Sequence, residues 1–371
     1  MMRTTIGLFL FVTLAIASCS NADFRAEAVG EEGQVTVVVD SSLWNGNVGD
    51  ALRAQIGAPI ATLPSQEPMF ALKQVSLQTR RDFDMVTARK NVLIVAALED
   101  TSTIESRFLW SSFSDDARNA ILEGGPAVVP RPDHWRRRQQ VFYVAGGSAE
   151  DLAHVITEQG PGMVHQLNEI TRRRLYREMF DIGRQHEIEE YLMTNHGFAV
   201  NGQHDYVIAK DTSNFVWLRR VLSDTWRSLF VYYEENADAG ALSPDWVIRA
   251  RDALTQRFVL GTGGGWVEVD QRRPLVADSV DFQSRFAFEL RGLWHMVGEE
   301  NGRKFPFGMG GPFLTYAFYD EPTRRIYLID GMVFAPNYPK REFLRQLEVI
   351  AYTFRTQQPT NDSPALSARI Q

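Results

Sequence analysis

The chain has 371 residues, with 39 Lys+Arg against 46 Asp+Glu and a formal net charge of −7. Hydrophobic residues at 44% and charged residues at 23% exclude a disordered chain and leave room for about two domains. The acidic balance excludes nucleic acid as the main partner, since phosphate binding needs a concentrated positive field. The single cysteine excludes internal disulfides, redox pairs and multi-thiolate zinc sites.

The elements begin with Arg3 and the unbroken apolar run Ile6 to Ala17. Its twelve residues fall short of the roughly twenty that cross a bilayer, so residues 1–18 read as a secretory signal peptide. The run ends in Ile16-Ala17-Ser18-Cys19, which resembles the lipobox of bacterial lipoproteins. Cys19 is therefore expected to carry a diacylglyceryl thioether, with a further acyl chain such as palmitate on its freed amine. Such chains, at about 0.8 kcal/mol per buried methylene, hold a protein stably at a membrane. Ser20 rather than Asp follows Cys19, which fits delivery to the outer membrane of the cell envelope. Residues 19–33 are polar and aperiodic and read as a flexible tether of roughly 45 Å.

Residues 34–147 read as an N-terminal αβ half. Strands are expected at Val35–Val39, Met69–Leu77, Asn91–Leu98 and Gln139–Ala145, with helices at Val48–Ile56 and from Ser114 to Leu122. The order βαββαβ suggests a ferredoxin-like half. Residues 148–196 read as linking helices, opened by the capping pattern Ser148-x-x-Asp151 and broken at Gly160-Pro161-Gly162. Residues 197–356 form a C-terminal αβ half. Its strands are expected at 205–210, 215–221, 229–234, 265–269, 285–297, 312–319 and 325–334, with helices after Ser243-Pro244 and over 340–354. Residues 357–371 read as a disordered tail. The expected fold is α+β, two ferredoxin-like halves with mainly antiparallel sheets joined by a long helix. Trp44-x5-Asp50-Ala51-Leu52 recurs as Trp246-x5-Asp252-Ala253-Leu254, which raises a duplicated αβ unit.

Few patterns carry chemistry. His186-Glu187 opens like a zinc helix, but Glu190 stands where the second histidine belongs, and the other histidines lack ligand spacing. Neither metal nor cofactor is expected. Gly146-Gly147-Ser148 sits where a nucleophile elbow would, yet Ser148 reads better as a helix cap. Glu268 and Asp270, two apart on a strand, share a face. Arg136–Arg138 and Arg172–Arg174 read as solvated basic faces, with anionic head groups beside the anchor as the sharper alternative.

Four C-terminal stretches are distinctive: Arg291-Gly-Leu-Trp294, Met309-Gly-Gly-Pro-Phe313, Asp330-Gly-Met-Val-Phe-Ala-Pro336 and Lys340-Arg-Glu-Phe-Leu-Arg-Gln-Leu-Glu348. With Leu43-Trp44-x-Gly46-x-Val48-Gly49-Asp50 and Leu63-Pro64-x-x-Glu67-Pro68-x-Phe70, this series resembles a family of bacterial envelope lipoproteins, domain of unknown function 4837, over about residues 35–355. The resemblance implies a lipoprotein address and an α+β fold, and no reaction. Two readings stand for the segment around Gly310 and Gly311: Trp294 and Phe313 are core and Arg291 pairs with a carboxylate, or Arg291 and Trp294 line a groove for an anionic or glycan ligand. The resulting expectation is a non-enzymatic, lipid-anchored binding or assembly module. Its partners would be the membrane and an envelope protein or glycan. The alternative is an envelope hydrolase using Ser148, or Glu268 with Asp270.

Overall fold

The computed structural model describes residues 23–261 and 264–356. The signal segment 1–18, Cys19 and the tail 357–371 lie outside the described residues, as do Thr262 and Gly263 of the glycine run.

The N-terminal half runs β1 (Gln34–Val38), α1 (Ser41–Trp44), α2 (Asn47–Gln55), β2 (Ala71–Val75), α3 (Arg80–Thr87), β3 (Asn91–Ala97), α4 (Ile104–Ser112), α5 (Asp115–Leu122), β4 (Ala127–Pro132) and β5 (Gln140–Gly146). Its sheet has the order β2-β1-β3-β5-β4. The pairs β1·β2, β1·β3 and β3·β5 are parallel, and only β4 runs antiparallel at the edge. The overall class is α+β, but this half is not ferredoxin-like. The reason lies in its apolar runs: β3 and β5 are buried along nearly their whole length. Strands covered on both faces pair in parallel beneath crossover helices. α2 and the following long helix cover one face, while α3, α4 and α5 cover the other.

That long helix, α6 (Ala149–Phe180), has 32 residues and passes unbroken through Gly160-Pro161-Gly162, where a break was expected. A Cβ at Gly160 would meet the Gln55 side chain at 2.7 Å. The glycine therefore serves the close approach of α2 to α6, not a turn. Ser148 caps α6 as expected: its Oγ accepts from Asp151 N–H at 3.2 Å while Asp151 Oδ2 accepts from Ser148 N–H at 3.0 Å. α6 serves both halves. Leu152 to Leu167 enter the N-terminal core, and Leu175, Met179 and Phe180 enter the C-terminal one.

After α7 (His186–His196) come β6 (Val207–Asp211), β7 (Phe215–Val221), β8 (Trp226–Glu235), α8 (Pro244–Phe258), β9 (Trp266–Val269), β10 (Val276–Asp281), β11 (Phe286–Glu300), β12 (Arg303–Asp320), β13 (Arg325–Phe334) and α9 (Arg341–Ala351). These strands form an antiparallel sheet of order β10-β11-β12-β13-β8-β7-β6, with β9 added to β11. α8 packs on one face, and α7, α9 and the end of α6 on the other. This order is not ferredoxin-like either, and the two sheets differ too much for Trp44 and Trp246 to mark a duplication. β11 and β12 are longer than expected because Asn301-Gly302, both at positive φ (53° and 73°), turns them into one hairpin. Asn-Gly with two positive φ values is the favoured two-residue hairpin turn.

The expected tether is also shorter than residues 19–33. Ala28 N–H donates to Arg137 O at 3.0 Å and Val29 N–H to Ala88 O at 2.8 Å, so this strip is bound along the N-terminal half.

Candidate functional site

The groove does not form. Arg291 and Trp294 are three apart on β11, an odd spacing that sends them to opposite faces of the sheet. Trp294 is 5% exposed in the core beneath α8, and its Nε1–H donates to Val333 O at 3.2 Å. Arg291 faces α9 instead and is held by Glu289 at 2.6 Å and Glu348 at 3.0 Å. Gly310 and Gly311 are sites of close packing: a Cβ on Gly310 would lie 2.9 Å from Trp294 O, and one on Gly311 would run into Val333 O.

Glu268 and Asp270 both approach His295, whose strand neighbour is Glu268. Burial would push the Glu268 carboxyl up, but hydrogen bonds from Lys304 and Trp266 leave it lowered. Asp270 is lowered mainly by its hydrogen bond from Arg272. Two carboxylates displaced in the same direction provide no acid to complement a base. Ser148 Oγ donates to Asp151 Oδ2 at 2.8 Å, which commits it to the cap. Among the described residues no His/Cys/Asp/Glu cluster has the arrangement of a metal site.

What the fold gathers most densely is a polar seam between the two halves. Lys340 holds the N-cap position of α9 and offers no side-chain cap of its own. Glu67, from the loop before β2, supplies one. Its carboxylate accepts from Lys340 N–H at 2.9 Å and from Arg341 N–H at 2.9 Å, and Ser65 Oγ donates to it at 3.0 Å. A buried carboxylate on the orphan donors of a helix N-terminus also meets the positive end of the helix dipole. Arg341 and Arg345 return the contact by donating to Pro68 O at 2.6 Å and Met69 O at 2.7 Å. Arg345 also stacks 4.5 Å above the Phe70 ring.

Two turns along α9, Glu348 lies between Arg172 of α6 at 2.8 Å and Arg291 of β11 at 3.0 Å. Arg172 stacks 3.7 Å over Tyr352. Burial alone would push the Glu348 carboxyl up; the two guanidinium groups outweigh it and hold it at about 2. Burial pushes the Tyr352 hydroxyl the other way from neutrality, to about 12, against the opposing charge of Arg172. Neither group changes protonation near neutral pH, so the cluster is built to hold charge in place, not to move protons. A separate knot, inside the N-terminal half, joins Glu32 to Lys90 at 2.6 Å and to Arg174 of α6 at 3.1 Å. Glu67→Ala leaves two α9 amide donors without their acceptor. It is expected to cost about 2 kcal/mol, read as a lowered urea midpoint at unchanged slope.

The seam was partly visible in the sequence, because Glu67-Pro68 and Lys340-Arg341 both stood out. Nothing local says that they meet. One open concavity of about 440 Å³ lies elsewhere, between the end of β2 and the starts of α3 and α4, lined by Leu77, Thr79, Arg80, Phe83, Asp84 and Ile104. The C-terminal ends of parallel strands are a usual place for ligands in α/β sheets.

Residues 185–353 match the family described as Domain of unknown function (DUF4837), and residues 28–180 match another, Domain of unknown function (DUF8532). The resemblance expected over 35–355 thus divides at the end of α6. No curated protein matches the chain. The Saccharomyces cerevisiae Ran-binding protein Mog1p is similar in structure at 12% identity, over 43% of this chain and 90% of that one, with a TM-score of 0.30. A mutant of protein Mog1 is similar at 13% identity, with the same coverage and a TM-score of 0.30. Likeness of this degree carries no argument about function.

Proposed function

From the premise that residues 185–353 belong to the DUF4837 family, we propose that this chain is a lipid-anchored envelope protein acting as a binding or assembly module. The observation that carries the reading is the placement of the only cysteine, Cys19, directly after Ile16-Ala17-Ser18 and a twelve-residue apolar run. The seam supports the second part of it. Arg172, Arg291, Glu348, Glu67, Arg341 and Arg345 satisfy one another across the two halves, which suits a scaffold that presents its surfaces in fixed relation.

Cys19→Ser tests the anchor. In a fractionation washed at high salt, which screens headgroup contacts, the variant is expected to move from the membrane fraction to the soluble fraction and to lose incorporation of labelled palmitate. Membrane retention undiminished by the substitution would overturn the reading.

A further inference from the structure

The strip after Cys19 is bound to the body early. Ala26 O accepts from Arg137 N–H at 3.1 Å, and the strip then follows Arg137 and Ala88 through Ala28 and Val29. Cys19 stands seven residues before Ala26, a span of at most roughly 25 Å where 45 Å was expected. The same strip exposes two apolar side chains, Phe24 at 94% and Val29 at 54%.

The charges around it are unevenly committed. Asp23 pairs with Arg25, Glu27 with Arg137 and Arg138, and Glu32 with Lys90 and Arg174. Asp133 accepts from Gln139 N–H at 3.3 Å, and Glu31 is exposed. Arg89, which bridges to Val29, and Arg136, beside Arg137, have no carboxylate partner among the described residues. Arg131 has none either and lies 5.5 Å over the Tyr143 ring. Guanidinium groups in excess of carboxylates beside exposed apolar side chains match a phosphate-rich interface with hydrocarbon behind it.

We infer that this face of the N-terminal half, bearing Phe24, Val29, Arg89, Arg131 and Arg136, lies directly on an anionic lipid bilayer. The arginines take headgroup phosphates, and the apolar pair enters the interface. The inference rests on the lipidation of Cys19 proposed above, and adds that the short leash docks the body rather than letting it swing.

The test uses the lipidated chain in vesicles of phosphatidylglycerol and phosphatidylethanolamine at about 1:3, a composition chosen for charge. A thiol-reactive environment-sensitive dye is attached through Val29→Cys, or through Tyr338→Cys on the C-terminal half as a control. The dye at 29 is expected to shift to the blue and to be quenched by a headgroup-level lipid quencher, while the dye at 338 is not. Equal, water-like emission at both positions overturns the docking and leaves the anchor standing. Two dyes per chain, instead of one, mean that Cys19 is a free thiol and overturn the anchor.

The face is then judged by a second arm that needs no lipidation. The Cys19→Ser chain should sediment with the same vesicles, and Arg89→Gln/Arg131→Gln/Arg136→Gln should weaken that binding by about 100-fold at low salt. Binding unchanged by the triple substitution overturns the proposal.

Discussion

Glu348→Gln is expected to lower the unfolding free energy by about 3 kcal/mol at neutral pH and to flatten the acid limb of the stability curve. The carboxyl is held at about 2 against an ordinary value of 4.5, because Arg172 and Arg291 outweigh the burial that would raise it. A folded-state value below the unfolded one means that the native state binds fewer protons. The stabilisation is therefore fully present above about pH 4.5 and is lost as pH falls through about 2. Glutamine keeps an acceptor in place but removes the charge, leaving Arg172 and Arg291 facing each other without their counter-ion. Urea unfolding at pH 7, 4 and 2.5 reads the effect. The variant should differ most at pH 7 and least at pH 2.5, and a pH-independent difference would assign the loss to packing.

Asp330→Asn is expected to cost more, about 3–5 kcal/mol, because it strands a buried guanidinium. Arg251 and Asp330 are both 0% exposed and pair at 2.7 Å, with Thr315 Oγ1 donating to the same carboxylate oxygen at 2.6 Å. The two terminal guanidinium nitrogens of Arg251 and the other Asp330 oxygen find no hydrogen-bond partner, and Arg251 lies 3.8 Å over the Phe313 ring. Burial pushes the Asp330 carboxyl up in spite of Arg251. A pair so poorly supplied with further hydrogen bonds adds little net stability, whereas removing one partner is costly. The double variant Arg251→Met/Asp330→Asn should recover most of the loss. A double-mutant cycle that shows additivity would contradict this account of the pair.

Much of the fold was legible. β1, β3, β5 and β13 announce themselves as apolar runs, and Ser148-x-x-Asp151 and Ser243-Pro244 mark the starts of α6 and α8. Strand direction was not legible, since βαββαβ order fits either a parallel or an antiparallel sheet. The signal was the unbroken burial of β3 and β5, which alternation would have interrupted. α3 was missed although Thr79 and Asp82 form a capping box, because it spans only eight residues and buries only Val86. At the site level, the parity of Arg291 and Trp294 was readable and ruled out a shared groove. The Glu67 cap was not readable, because it joins residues 273 apart that no local pattern relates.

The central claim is that the stretches matched by two different families form one folded body across the Glu67 and Glu348 contacts. Hydrogen exchange against urea tests it most directly, comparing amides of β3 and β5 with those of β12 and β13. The account predicts that both sets lose protection in one coincident transition, and that Glu67→Ala shifts both to lower urea by the same amount. Two separate transitions in the unaltered chain, with β3 and β5 indifferent to Glu67→Ala, would contradict it.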